Sequence, residues 1–140
     1  MYKLGTRSVT ALKGVHPKLV KLITEAITDS PVDFTVVEGV RTTKRQQELY
    51  AQGRTKKGSI VTYANGVNKK SNHQAKADGY GHAVDIYPFF NGQVQVQHKD
   101  VIKRLKEISD HVKKIAKKQG ISITWGGDWK KPYDPPHFQL

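Results

Sequence analysis

Apolar residues recur along this chain at two different periods, and the switches between them mark out its elements. In Pro17–Thr28, Leu19, Leu22, Ile23 and Ala26 fall on one face at helical spacing, and Pro17 suits a first turn, where its missing N–H is not needed. This predicts a helix. Asp29-Ser30-Pro31 interrupts it, and Phe34–Val37, short, β-branched and aromatic, reads as a buried strand. Thr42 or Thr43 can cap a second helix reaching about Gln52, with Leu49 and Tyr50 as apolar contacts and Gly53 at its end. The most regular stripe is Val101, Leu105, Ile108, Val112 and Ile115, spaced by fours and threes; it predicts a helix from about Lys99 to Gln119, ended by Gly120.

Between Arg54 and Asp78 neither period holds. Gly, Ser, Asn and Lys dominate, which reads as a long surface loop, and long loops in small domains are usually functional or mobile. Ala83–Tyr87 restores a strand pattern, and Asn91-Gly92 signals a hairpin into Gln93–Val96. Ile121–Trp125 predicts a further strand, Gly126-Gly127-Asp128 a turn, and Pro136–Gln139 a last short strand. The order predicts an α+β fold: a single domain, with a small, mostly antiparallel sheet packed with about three helices. There is no internal repeat and no low-complexity linker.

Composition narrows the function. The 140 residues are 36% hydrophobic, enough for one modest core, and carry 24 Lys and Arg against 12 Asp and Glu, a net charge of +12. Lys103, Lys106, Lys113 and Lys117 lie opposite the apolar stripe of the long helix, so that face is cationic. The basic residues are mostly lysines without interleaved aromatics or a nucleic-acid-binding motif, so an anionic surface, and not a nucleic acid, is the expected partner. A non-enzymatic cationic binding domain is the competing reading. No apolar run approaches the roughly 18 to 20 residues of a membrane span, so no membrane insertion is expected, and Met1–Arg7 lacks the apolar region of a secretory leader. Cysteine is absent, so any metal must be held by His, Asp or Glu.

Three of the six histidines, His73, His82 and His137, lie beside turns or strand ends in company with an acid. In Asp134-Pro135-Pro136-His137 two prolines fix the backbone between a carboxylate and an imidazole. His73 precedes the strand carrying Asp85, so the two can converge at its end. Two His and one Asp would leave a tetrahedral zinc ion one open position, and Asp134 could accept a proton from water there. The spacing alone does not single out this set.

Four ordered motifs do more. Ser71-Asn72-His73, Gly81-His82-Ala83-Val84-Asp85, Trp125-Gly126-Gly127-Asp128-Trp129 and Asp134-Pro135-Pro136-His137 resemble the S-x-H, G-x-A-x-D, W-G-G-x-W and [D/E]-x-x-H signatures of one group. It is the zinc-dependent L-alanyl-D-glutamate peptidase and D-alanyl-D-alanine carboxypeptidase (VanY-like) family, which includes many phage endolysins. The resemblance begins near Phe34, with Glu38-Gly39-Val40-Arg41-Thr42 similar to a G-x-R-[S/T] motif, and runs to the C-terminus. It implies that His73, Asp85 and His137 bind Zn2+, that Asp134 is the general base and acid, and that Arg41 orients substrate or steadies the oxyanion. Gln46 resembles a polar substrate-binding position in the same cleft. Here Gln74–Tyr80 makes the connection from His73 to Asp85 longer than the family's pattern, so Asp78 and His82 compete as first ligand. Were 82–85 a strand, His82 and Asp85 would face opposite sides, which favours His73.

Other residues have plainer readings. Trp125 and Trp129 could line the cleft, but aromatics beside Gly-Gly read first as packing around a tight turn; Asp128 either orients a ligand histidine or braces its turn; His16, His98 and His111 read as ordinary solvated residues. The Asp in the last motif resembles the endopeptidases more than the D-alanyl-D-alanine enzymes. The resemblance therefore implies a monomeric endolysin without a separate cell-wall-binding module, acting on peptidoglycan stem peptides and drawn to the anionic envelope. It would be held in the host cytoplasm until holin-dependent release to the periplasm and wall.

Overall fold

A computed structural model describes residues 1–140. The elements are α1 Thr6–Ala11, α2 Pro17–Thr28, β1 Phe34–Glu38, α3 Thr43–Ala51, β2 Ala83–Phe90, β3 Gln93–Val94, α4 Val101–Gln119, β4 Thr124–Trp125 and β5 His137–Gln139, with a 3-10 turn at Gly126–Asp128. The strands form one antiparallel sheet in the order β1-β2-β5-β4, with β3 hairpinned onto the far end of β2. This is the expected α+β architecture with one additional helix.

Strand alternation divides the two faces of the sheet. Val36, Val84, Ile86 and Phe138 point into the core, where they meet Leu19, Leu22 and Ile23 of α2 and Leu105, Ile108 and Val112 of α4. Each such side chain, fully removed from water, contributes about 1.5–3 kcal/mol. Asp85, Tyr87 and His137 occupy the alternate positions and face away from that core. The long segment between α3 and β2 meets this second face.

Pairing places the polar residues abreast. Asp85 stands opposite His137 on β5 and opposite Glu38 on β1. The last pairing depends on an irregularity: between Val36 and Glu38 the ladder slips, so that two steps on β1 match one on β2. Without that bulge Glu38 would share the face of Val36 and enter the core.

Several boundaries follow from competing hydrogen bonds. α1 was not expected, because six residues of mixed polarity show no period. It is held by tertiary contacts: buried Ser8 accepts the Val36 N–H at 2.9 Å, closing a donor on the sheet's edge strand. The strand expected from Ile121 begins only at Thr124, since the Ile121 N–H completes the C-terminal cap of α4 on the Ala116 carbonyl at 2.8 Å, with Gly120 left-handed at φ +71°. Similarly the strand expected over Gln93–Val96 stops at Val94. Its Asn91-Gly92 turn has the positive φ values, 56° and 78°, of a tight hairpin.

Candidate metal centre and its cleft

Three side chains from different parts of the chain converge at the sheet's polar face. Asp85 and His137 are adjacent by strand pairing. His73 arrives from the long loop and is fixed by an exchange of bonds with the end of β1: its Nδ1 donates to the Gly39 carbonyl at 2.8 Å, while its own carbonyl accepts the Arg41 N–H at 2.8 Å. His73 Nε2 then lies 3.2 Å from Asp85 Oδ1 and 3.2 Å from His137 Nδ1, and the last two atoms are 3.4 Å apart.

The protonation of the two rings decides what this triangle can hold. A carbonyl only accepts, so His73 carries its proton on Nδ1 and Nε2 presents a lone pair. His137 Nε2 bonds Gln139 Oε1 at 2.8 Å, an oxygen that also accepts from Asn72 Nδ2 at 2.7 Å, so His137 Nδ1 is likewise a lone pair. Two imidazole lone pairs and a carboxylate therefore face one point with no proton among the neutral rings. Zinc at about 2.0–2.1 Å from each donor in tetrahedral geometry sets donors about 3.3 Å apart, so the donor set and its spacing fit that ion. The held tautomers are those in which ligand histidines are oriented by acceptors behind them.

Around this point lies a cleft of about 400 Å³ whose walls include Arg41, Tyr63, Lys69, Tyr87, Trp129 and Asp134. Asp134 Oδ2 is 3.8 Å from His137 Nδ1. Burial, with the nearby Asp85 charge, pushes the Asp134 carboxyl above the usual carboxylate range, against the opposing pull of His137, His73 and Arg41. For Asp85 burial acts in the same upward sense, but hydrogen bonds to the His137 and His73 rings outweigh it and hold the carboxyl well below that range. His137 shows the reciprocal effect: burial alone would lower it, and Asp85 with Gln139 raises it. Arg41 reaches the cleft beside Asp85, with Nη2 at 3.8 Å from Oδ2, and is itself paired with Glu38 through Nη2.

A sequence model described as phage L-alanyl-D-glutamate peptidase matches residues 1–137. The chain belongs to that family. It is 34% identical over 115 residues to the peptidoglycan L-alanyl-D-glutamate endopeptidase CwlK of Bacillus subtilis (strain 168), covering 82% of this chain and 65% of that protein. It is 27% identical over 133 residues to the L-alanyl-D-glutamate peptidase of Escherichia phage T5, covering 95% and 85%. Its fold is similar to the crystal structure of the Serratia marcescens L-Ala D-Glu endopeptidase ChiX, with a TM-score of 0.75, 33% identity, and coverage of 99% of this chain and 90% of that one.

Within this phage-peptidase fold the other sequence candidates fall in different places. Asp78 and His82 lie together away from the triangle, with His82 Nε2 2.7 Å from Asp78 Oδ2 and His16 Nε2 at 4.0 Å. That second group differs in kind, because His16 Nδ1 accepts the Lys18 N–H as the cap of α2, which leaves a proton on Nε2 pointing at a carboxylate. His16 is thus a cap, not a merely solvated residue. His98 likewise accepts the Asp100 N–H at 3.0 Å ahead of α4, and His111 Nε2 bonds the Ala26 carbonyl at 2.8 Å, tying α4 to α2. Asp128 neither orients a histidine nor closes its turn: it pairs with Lys113 of α4 at 2.6 Å. Trp125 is core, its Nε1 bonded to the Pro135 carbonyl at 2.5 Å, whereas Trp129 lines the cleft 5.2 Å from the His137 ring.

Gln46 is wholly buried behind Arg41 and is absent from the cleft wall. Its Oε1 accepts from Arg41 Nη1 at 2.8 Å, and its Nε2 donates to the Ala64 carbonyl at 2.7 Å and Thr62 Oγ1 at 3.2 Å. Two site neighbours went unnoticed in the sequence. Tyr87 shares the Asp85 face by the two-residue period and could have been found from it; burial and the charges of Asp85 and Asp134 raise its phenol, which stays a proton donor. Glu38 as the partner of Arg41 depends on the bulge, which no sequence period signals.

Proposed function

We propose that the chain is a zinc peptidase of peptidoglycan that hydrolyses the L-alanyl-D-glutamate bond of stem peptides. The observation that carries this reading is the convergence of His73 Nε2, His137 Nδ1 and Asp85 Oδ1 within 3.4 Å of one another, with Asp134 beside them in an open cleft. Family membership and the L-alanyl-D-glutamate peptidase activity of the relatives support the substrate. Zinc bound there would supply Lewis acidity, polarising the scissile carbonyl and lowering the pKa of water.

The chain's own groups do the rest. Asp134, its carboxyl raised above the usual carboxylate range by burial and the Asp85 charge, takes the proton from attacking water and delivers it to the leaving amine. Arg41 is pinned by Glu38 and Gln46, so its positive charge is in place where negative charge develops on the carbonyl oxygen, without reorganisation during the reaction. The net charge of +12 draws the protein towards carboxylate-bearing peptides and anionic envelopes, an attraction that salt weakens. In this reading the protein is a monomeric endolysin, accumulating in the host cytoplasm and reaching the wall after holin-dependent release.

Digestion of purified peptidoglycan tests the assignment. Mass analysis is expected to find new L-alanine carboxyl termini paired with new D-glutamate amino termini. Release of terminal D-alanine alone would transfer the chain to the carboxypeptidases, and an intact wall with zinc-loaded protein would refute the peptidase reading.

A further inference from the structure

We infer that Lys69, with Lys70 adjoining it, forms a carboxylate-binding subsite for the glutamyl residue on the leaving-amine side of the scissile bond; this rests on the peptidase reading above. The starting observation is an imbalance of charge in the cleft. Its carboxylates, Asp85 and Asp134, both lie beside the imidazoles, and Arg41 is engaged by Glu38 and Gln46. Lys69 and Lys70 also line the cleft, yet neither enters any ion pair in the chain. Lys131, which is not part of the cleft wall, lies over the ring of the cleft residue Tyr63 at 5.8 Å, so its charge already has a neighbour.

The loop that presents Lys69 is built onto the site. Asn65 Oδ1 accepts the N–H groups of Val67, Asn68 and Lys69 at 2.9, 2.9 and 3.1 Å, and the Gly66 N–H closes on the Lys69 carbonyl at 3.0 Å. Gly66 packs on Gln46, with a left-handed φ of 87°, and its carbonyl accepts from Gln74 Nε2 at 3.0 Å. Gln46 therefore braces Arg41 on one side and the lysine loop on the other, fixing one cation relative to the other.

Substrate chemistry supplies the missing anion. An alanyl residue acylated at its amine is uncharged. A glutamyl residue whose amine is acylated has two carboxyl groups, and extending the peptide from one leaves the other free. Of the two residues flanking the bond, only the glutamyl residue carries a charge, and it is negative. Lys69 lines this cleft alone, whereas Lys70 also lines a neighbouring depression with Gln74 and Lys76, so Lys69 is the principal contact.

The test compares two synthetic peptides, one with the free glutamyl carboxyl and one with that group as a neutral carboxamide. With zinc-loaded wild-type protein the carboxylate peptide is expected to have the lower KM, by about tenfold, a single charge-assisted contact. Lys69→Ala should remove most of that preference by raising KM on the carboxylate peptide, with zinc content near wild type, Lys69→Arg should retain most of it, and Lys69→Ala with Lys70→Ala should abolish what the single variant leaves. Equal losses on both peptides, or an undiminished preference in the double variant, would overturn the proposal. Calorimetric binding of the same peptides to zinc-loaded Asp134→Asn separates the two readings: if wild type cleaves neither peptide, the peptidase reading fails, and a Lys69-dependent preference in binding still decides for or against the subsite.

Discussion

Replacing Gln46 by Met separates two roles that a residue near an active site can have, contact with substrate and support of the residue that makes it. Met nearly preserves the buried volume, so no large cavity term enters. The Arg41 Nη1 bond at 2.8 Å and the Ala64 carbonyl bond at 2.7 Å are both lost. A hydrogen bond to a charged group contributes about 1.5–3 kcal/mol, and a buried carbonyl left without a donor costs about 1–3 kcal/mol. Relaxation of the 62–64 loop towards water recovers part, so a net loss of about 3 kcal/mol is expected, a sizeable share of a typical domain stability of about 5–15 kcal/mol. With a urea dependence of about 2 kcal/mol per molar, the unfolding midpoint should fall by about 1.5 M. Activity should fall as well, because Arg41 loses its lateral support. Gln46→Glu refines the reasoning: its carboxylate still accepts from Arg41 but offers no proton to Ala64, so stability should drop while kcat/KM is better retained. An unchanged urea midpoint together with a raised KM in the Met variant would mean that Gln46 touches substrate directly, and would refute this account.

Metal removal and pH are linked. Chelation should abolish peptidase activity and zinc restore it, and His137→Ala should lower zinc content in elemental analysis and prevent rescue at ordinary zinc concentrations. In the metal-free chain, the folded pKa of Asp85 lies below its ordinary 3.8, so its stabilisation is present above that value and lost as pH falls through the folded pKa; the folded pKa of His137 lies above 6.5, so its stabilisation is full below 6.5 and lost as pH rises through the raised value. Zinc requires the unprotonated His137, so the zinc-induced rise in melting temperature should grow over that same upper range; a shift that shrinks with rising pH there would contradict the ligand assignment. Gly126→Ala places a methyl group against the Asp134 carbonyl and 3.0 Å from the His137 Cβ, and should cut kcat by about a hundredfold through displacement of Asp134 while much of the zinc is retained; full activity would show that Asp134 need not be held there.

The long elements were legible because burial imposes a period: α2, α4, β1 and β2 lie where their apolar residues recur. The motifs likewise led to the three side chains that the fold brings together, although the spacing alone left His82 and Asp78 as rivals. What separates the groups is the partner of the far ring nitrogen, Gly39 and Gln139 for one pair of rings and the Lys18 N–H for His16, and such partners are tertiary. The position of Gln46 behind Arg41 was hidden for a related reason. A polar residue on a short, weakly amphipathic helix looks exposed until the 62–66 loop folds over it. Trp129 shows the reverse: identical in type to Trp125 and four residues away, it is in the cleft because the backbone turns through 126–128 between them.

Core and site also specify one another. Strand pairing offset by a single residue would send Asp85 into the core and expose Val84 and Ile86, so the burial that fixes the register fixes two donors of the triangle at the same time. His73 has no strand to hold it. Its ring depends on the Gly39 carbonyl, and Gly39 can be where it is only because, lacking a side chain, it packs directly on the Ala11 carbonyl and 2.9 Å, measured from where a Cβ would stand, from Val15. Ala11 ends α1, the helix that left no mark in the hydrophobic pattern, and Ser8 of the same helix holds the Val36 N–H. A six-residue helix with no chemistry of its own therefore sets the direction of the third side chain of the triangle, through one glycine and one carbonyl, while the sheet sets the other two.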